Sequence, residues 1–160
     1  MYKLKHYVPL LCLYLACCGS VHDDYFGQLQ AGTPEQRARA ASFLGAQRVV
    51  EAVPHLQRAL RDPLPVVRTK AVWALGMLRA KVTLRDLVVL LGDRDRDVRQ
   101  VTAWALMQIE EPEAIVAFER AMAVETDAWV KKDMDRAVRY LKQFEGEADV
   151  EESSVRGLFF

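Results

Sequence analysis

Apolar residues along this chain recur at three- and four-residue steps rather than in alternation. Val67, Ala71, Leu75 and Leu78 mark one such face, and Leu84, Leu87 and Leu91 mark the next. Each stretch predicts an amphipathic helix with one side to bury. The pattern then returns. A shift of 31 residues superposes Arg37, Arg68 and Arg99, and likewise Leu44, Leu75 and Leu106. The same shift aligns Val53, Leu84 and Ile115, then Leu56, Leu87 and Phe118, then Leu60, Leu91 and Met122, with Asp62 matching Asp93. One inserted residue brings Val130, Lys131, Val138 and Leu141 under Val98, Arg99, Leu106 and Ile109, while Tyr25 and Leu29 stand 31 residues ahead of Leu56 and Leu60. Helices that cannot bury their faces alone must stack on their neighbours. The expected fold is all-α, an α-solenoid of roughly four antiparallel helix-pair repeats, frayed at both ends.

Local chemistry marks the joints. Thr33-Pro34-Glu35-Gln36 predicts a helix start, with Thr33 as cap, Pro34 at the first helical position and Gln36 closing a capping box. Asp62-Pro63-Leu64-Pro65 breaks the chain between units, because proline removes a donor and keeps the preceding residue out of the helical region. Asp93-Arg94-Asp95-Arg96-Asp97 makes the same break with charge, its aspartates at the positive end of the next helix.

Size and charge narrow the classes. A chain of 160 residues and 18.2 kDa buries a core as one domain more comfortably than as two. Its 22 basic and 22 acidic residues create no global field toward nucleic acid or anionic lipid. The three cysteines, Cys12, Cys17 and Cys18, all lie in the first eighteen residues, so the body of the chain has no internal disulfide to form.

The opening stretch has Lys3, Lys5 and His6, then an uncharged run from Tyr7 to Cys18, too short to span a bilayer that needs roughly twenty apolar residues. That is the layout of a secretory signal. Leu15-Ala16-Cys17-Cys18-Gly19-Ser20 resembles the lipobox of bacterial lipoproteins, which implies lipidation at Cys18, with Cys17 as the alternative. Cleavage by the general signal peptidase, or a buried N-terminal helix, are the other readings. Gly19 and Ser20 after the site imply, by the same resemblance, an exported protein of the cell envelope, anchored at the outer membrane and facing the periplasm. Loss of Lys3 and Lys5 leaves 20 basic against 22 acidic residues, which disfavours nucleic-acid binding. The expected organisation is a leader over 1–18, a linker with a partial repeat helix over 19–32, the repeat domain over 33–144, and an acidic tail over 145–160 whose composition reads as disordered.

The segment EAVPHLQRALRDPLPVVRTKAVWALG resembles the HEAT repeat, especially the short form found in phycobilisome-lyase-like proteins, through its Ala-Val-Pro-x-Leu, Leu-x-Asp and Val-Arg-x-x-Ala-x-x-Ala-Leu-Gly signatures. The likeness extends over about Tyr25 to Gln143. It implies helix pairs whose second helices line the concave side, and a ladder between units formed by Asp62 and Asp93 with Arg68 and Arg99. Val124 in place of a third Asp, Lys131 in place of Arg, and Met107 in place of Gly depart from the pattern and imply a degenerate, capping C-terminal end.

Candidate chemistry is sparse. Glu51 and His55, four apart on a helix, offer two metal ligands without an evident third, and His22-Asp23-Asp24 reads as solvated linker. The chain contains no His-Glu dipeptide, no phosphate-cradling glycine loop and no nucleophile elbow. No cofactor, metal or catalytic residue is therefore assigned, although the lyase-like resemblance keeps a pigment-lyase role as the alternative. A binding surface is the better expectation. On the second helices, Gln57, Arg58 and Arg61, then Arg85, Val88 and Val89, then Glu119 and Arg120 point away from the core and form a row for an unidentified protein partner, the bland alternative being an ordinary solvated face. Trp73 and Trp104, 31 apart on first helices, read as buried stacking elements, with function on the opposite helices. The expected protein is an envelope-anchored scaffold.

Overall fold

A computed structural model describes residues 22–144. The leader with Cys17 and Cys18, and the acidic tail over 145–160, lie outside the described residues. Eight α-helices and no strand are present among the described residues: α1 (22–31), α2 (Pro34–Ala46), α3 (Val53–Ala59), α4 (Pro65–Met77), α5 (Leu84–Leu90), α6 (Arg96–Ile109), α7 (Ala114–Val124) and α8 (Ala128–Leu141). Short 3₁₀ turns at Val50–Ala52 and Lys81–Thr83, again 31 residues apart, lead into α3 and α5. The architecture is the expected α-solenoid.

Three of the long helices start at a side chain that accepts from their free N–H groups. The Thr33 hydroxyl accepts from Gln36 N at 3.4 Å, and the Gln36 side chain accepts from Thr33 N at 2.8 Å, completing the capping box of α2. Asp95 caps α6 by accepting from the Asp97 and Val98 amides, and Asp127 caps α8 by accepting from those of Trp129 and Val130. Helix α4 has no side-chain cap and relies on Pro65 at its first turn. The first helices also end alike. Arg48, Arg79 and Glu110, at 31-residue intervals, take the left-handed conformation (φ 54°, 47° and 61°), a position where glycine is the usual residue. His22, Asp23 and Asp24 belong to α1 rather than to a linker. Tyr25 stacks on Phe43 at 3.9 Å between ring centroids, and Gln28 donates to Asp24 one turn back, so the segment is held in helical form.

The core is one continuous seam through all repeats, with Leu44, Leu56, Leu75, Leu87, Leu106, Phe118, Met134 and Leu141 wholly enclosed. Two layers flank it, the long helices α2, α4, α6 and α8 on one side and the short helices on the other. Each short helix packs most closely on the long helix that follows it, α3 on α4, α5 on α6 and α7 on α8, so the compact pair is a short helix plus the next long one.

Packing is tightest between successive long helices, and glycine is the reason. A methyl group added at Gly45 would lie 2.6 Å from Ala74 Cα, and one added at Gly76 would lie 2.9 Å from Ala105 Cα. Only a residue without Cβ lets these backbones approach so closely. The short helices, in contrast, are separated by open grooves of about 540 Å³ between α3 and the Leu78–Val82 segment and about 520 Å³ between α5 and α7. Successive repeats therefore approach one another most closely in the layer of long first helices.

Candidate protein-interaction faces

The polar framework holds the repeats in register. Arg68 donates from Nε to Asp93 Oδ2 at 2.9 Å and from Nη2 to Asp93 Oδ1 at 2.7 Å, while its Nη1 reaches back to the Asp62 carbonyl at 2.9 Å. Arg37 makes the same fork with Asp62, at 2.7 and 3.1 Å. Arg99 follows the pattern with Glu125, at 2.7 and 3.0 Å, and its Nη1 meets the Asp93 carbonyl. Each arginine thus clamps the far end of its own unit to the joint before it. Glu125 is the carboxylate that the sequence reading overlooked. The inserted residue moves the acid one position beyond Val124, and the longer glutamate side chain still reaches the guanidinium.

Each acid also accepts backbone N–H groups from the turn that follows it: Leu64 on Asp62, Asp95 on Asp93, and Thr126 and Asp127 on Glu125. Burial alone would raise the carboxyls of Asp62 and Asp93, but their arginine partners and these amides outweigh it and hold both below the usual range. The Arg99 fork, against a smaller opposing burial effect, lowers Glu125 as well. These clamps are structural, and among the described residues no buried polar side chain lacks a partner.

On the short helices, the expected row is mostly exposed. Arg58, Arg61, Arg85, Glu119 and Arg120 face solvent, and Val89 is 74% exposed. Val88 differs. It is half-buried against the core seam and lines the α5–α7 groove, so Val88 and Val89 form no exposed pair. Adjacent residues on a helix point about 100° apart, and the roll that exposes Val89 turns Val88 toward the seam. Gln57 is also drawn in, donating to Asp86 of the next short helix at 2.9 Å.

The long-helix layer carries an apolar groove of its own. Trp73, Val101, Trp104 and Met107 line a groove of about 550 Å³ whose polar rim is Asp97, Gln100, Asp133 and Arg136. Both indoles are half-buried rather than enclosed, which corrects their reading as purely internal stacking elements. They do sit at the joints between repeats: Trp104 Cζ3 would come within 2.8 Å of a methyl at Gly76, and Trp73 Cζ3 within 3.4 Å of one at Gly45. At the equivalent place on α6 the residue is Met107. Its half-buried side chain lines the groove, which α4, α6 and α8 enclose together. Trp129 follows cap Asp127 by two residues, as Asp97 follows Asp95, so it occupies the rim position one repeat on; it is 66% exposed. All three tryptophans of the chain thus belong to the long-helix layer.

His55 does not gather ligands with Glu51. Its Nδ1 lies 2.8 Å from Gln30 Nε2, and its ring packs on Phe26 at 4.9 Å, which ties α3 to α1. Burial and, secondarily, the nearby Arg58 charge keep the imidazole below its ordinary value, so it is neutral at pH 7. Among the described residues, no three metal-ligating side chains converge, and no helix is long and apolar enough to cross a membrane.

These features define a helical-repeat solenoid. The family profile of HEAT repeats matches residues 26–88. Among solved structures, the chain is similar to the complex of CpcE and CpcF of phycocyanin lyase from Nostoc sp. PCC7120, with a TM-score of 0.56 and 20% sequence identity. The match covers 76% of this chain and 65% of that one, less than two thirds of its length. At that identity the likeness speaks for the fold. Comparison with curated proteins gives no match.

Proposed function

We propose that the protein is a scaffold that docks a protein partner on the long-helix face of its solenoid. The observation that carries this reading is the collection of Trp73, Trp104 and Trp129 on one layer, two of them beside a groove and the third exposed. Tryptophan in a partly desolvated pocket is the commonest kind of binding hot spot, and a polar rim such as Asp97, Gln100, Asp133 and Arg136 supplies orientation. The likeness to a structure that is itself a complex of two proteins agrees with a partner-binding role. Cross-linking in cells followed by co-purification tests it. The wild-type chain is expected to retain a discrete partner that Trp129→Ala and Trp104→Ala variants of unchanged helicity lose; a partner held equally by all three contradicts the reading.

The scaffold is further proposed to be tethered at the cell envelope through a lipid on Cys18, or on Cys17, a reading that rests on the basic, apolar and small-residue layout of the first twenty residues. Mass spectrometry of the native N-terminus checks it, and an unmodified Met1 would refute it.

A second reading, an enzyme or enzyme subunit resembling the bilin lyases, draws on the groove itself. About 550 Å³ between aromatic walls is the size of a small-molecule site, and the fold is shared with a phycocyanin lyase structure. This reading predicts that a linear tetrapyrrole such as biliverdin quenches the fluorescence of Trp73 and Trp104 saturably. Quenching that stays linear with concentration would exclude it.

A further inference from the structure

The groove between α5 and α7 is chemically unlike the one on the long helices. Its floor is apolar, formed by Leu84, Val88, Val116 and Ala117, with Val116 53% exposed. Arg85 and Arg120 flank it from opposite helices. The arginines at the repeat joints are taken up by carboxylates, as in Arg37, Arg68, Arg79, Arg96 and Arg99. Arg85 and Arg120 make no ion pair with any described residue. Glu113 also lines the groove, but Lys81, already held by Glu111, lies close enough to feel its charge. The balance around the floor is therefore basic. Carboxylates one helical turn apart on a peptide lie about 5–6 Å from each other at their β-carbons, and two long arginine side chains on either side of the groove can reach in to such a pair.

We propose that this groove docks an acidic peptide segment of a protein partner, with two carboxylates paired to Arg85 and Arg120 and the apolar residues between them set on Val88, Val116 and Ala117. Guanidinium groups suit this task because they hold carboxylates in two-pronged geometry and give up hydration more readily than ammonium. The site is separate from the tryptophan face, and its test is independent of that reading.

Fluorescence polarisation tests the proposal on the full chain, with a labelled twelve-residue peptide bearing two glutamates four apart and leucine and valine between them. The glutamate peptide is expected to bind at least ten-fold more tightly than its glutamine counterpart and to weaken as salt is raised. The Arg85→Gln, Arg120→Gln double variant, altered only at exposed positions, is expected to lose at least ten-fold. Trp104→Ala is expected to bind the peptide as wild type does. Equal binding of the glutamate and glutamine peptides, no binding of either, or an unchanged double variant would each overturn the proposal. So would loss of binding in a folded Trp104→Ala variant, which would mean a single shared surface. Arginine-dependent capture by vesicles of phosphatidylglycerol and phosphatidylcholine without peptide binding would assign the groove to a lipid surface instead.

Discussion

Arg68 and Asp93 form a two-pronged ion pair across the second repeat, with side chains only 6% and 8% exposed. Arg79 and Glu110 form a single contact one repeat apart, with side chains 56% and 28% exposed. Breaking a buried pair leaves an uncompensated charge and costs about 3–5 kcal/mol, whereas an exposed pair is worth roughly 0–1 kcal/mol. Asp93→Ala is therefore expected to lower stability several-fold more than Glu110→Ala, measured by urea unfolding. Equal losses would mean that the clamps do not hold the stack together.

The same clamps set the acid limit. The folded carboxyls of Asp62, Asp93 and Glu125 lie below their ordinary values of 3.8, 3.8 and 4.5, so the unfolded chain takes up protons first as the pH falls. Their contribution is complete above the unfolded values and is lost as pH drops through the folded ones. Thermal unfolding is expected to be insensitive to these groups above about pH 5.5 and to fall steeply below about pH 4. The Asp62→Asn, Asp93→Asn double variant, less stable at neutral pH, is expected to show a shallower decline.

Close approach of the long helices rests on two glycines. Gly76→Ala places a methyl group 2.9 Å from Ala105 Cα, against backbone that cannot swing away. It is expected to cost about 1–3 kcal/mol, as overpacking does. Gly92, whose nearest neighbour would be a carbonyl oxygen at 3.7 Å, serves as the control. Its alanine variant is expected to stay within about 0.5 kcal/mol of wild type.

Arg48 holds a left-handed backbone (φ 54°) at the end of α2, where a β-carbon crowds the preceding carbonyl. The Val49 N–H to Leu44 carbonyl bond, 3.0 Å, fixes this turn whatever the side chain. Arg48→Gly is accordingly expected to raise stability by about 0.5–1 kcal/mol, read from the shift in denaturation midpoint.

Much of this architecture was legible because it repeats. Helix faces, the Thr33 capping box and the joint at Pro63–Pro65 follow from spacing and from the backbone limits of proline, which act locally. The 31-residue shift showed the equivalence of Arg37, Arg68 and Arg99, and the resemblance to HEAT repeats pointed to an acid–arginine ladder. It did not reveal Glu125, because an inserted residue shifts the alignment by one, and a longer side chain recovers the contact in three dimensions. Nor did periodicity separate Val88 from Val89, since the direction in which a short helix is rolled is set by its neighbours. The half-exposure of Trp73 and Trp104 depends on how α4, α6 and α8 are placed around their shared groove, which no single helix encodes.

The role of the tryptophan-bearing face is open to one direct measurement, photo-cross-linking in cells from a benzoylphenylalanine placed at position 129. The scaffold account predicts a discrete cross-linked species that disappears when Trp104→Ala is added and that is not formed from position 47, an exposed residue beyond the end of α2. A probe at 129 that captures nothing, or a product indifferent to Trp104, would contradict docking on the tryptophan face.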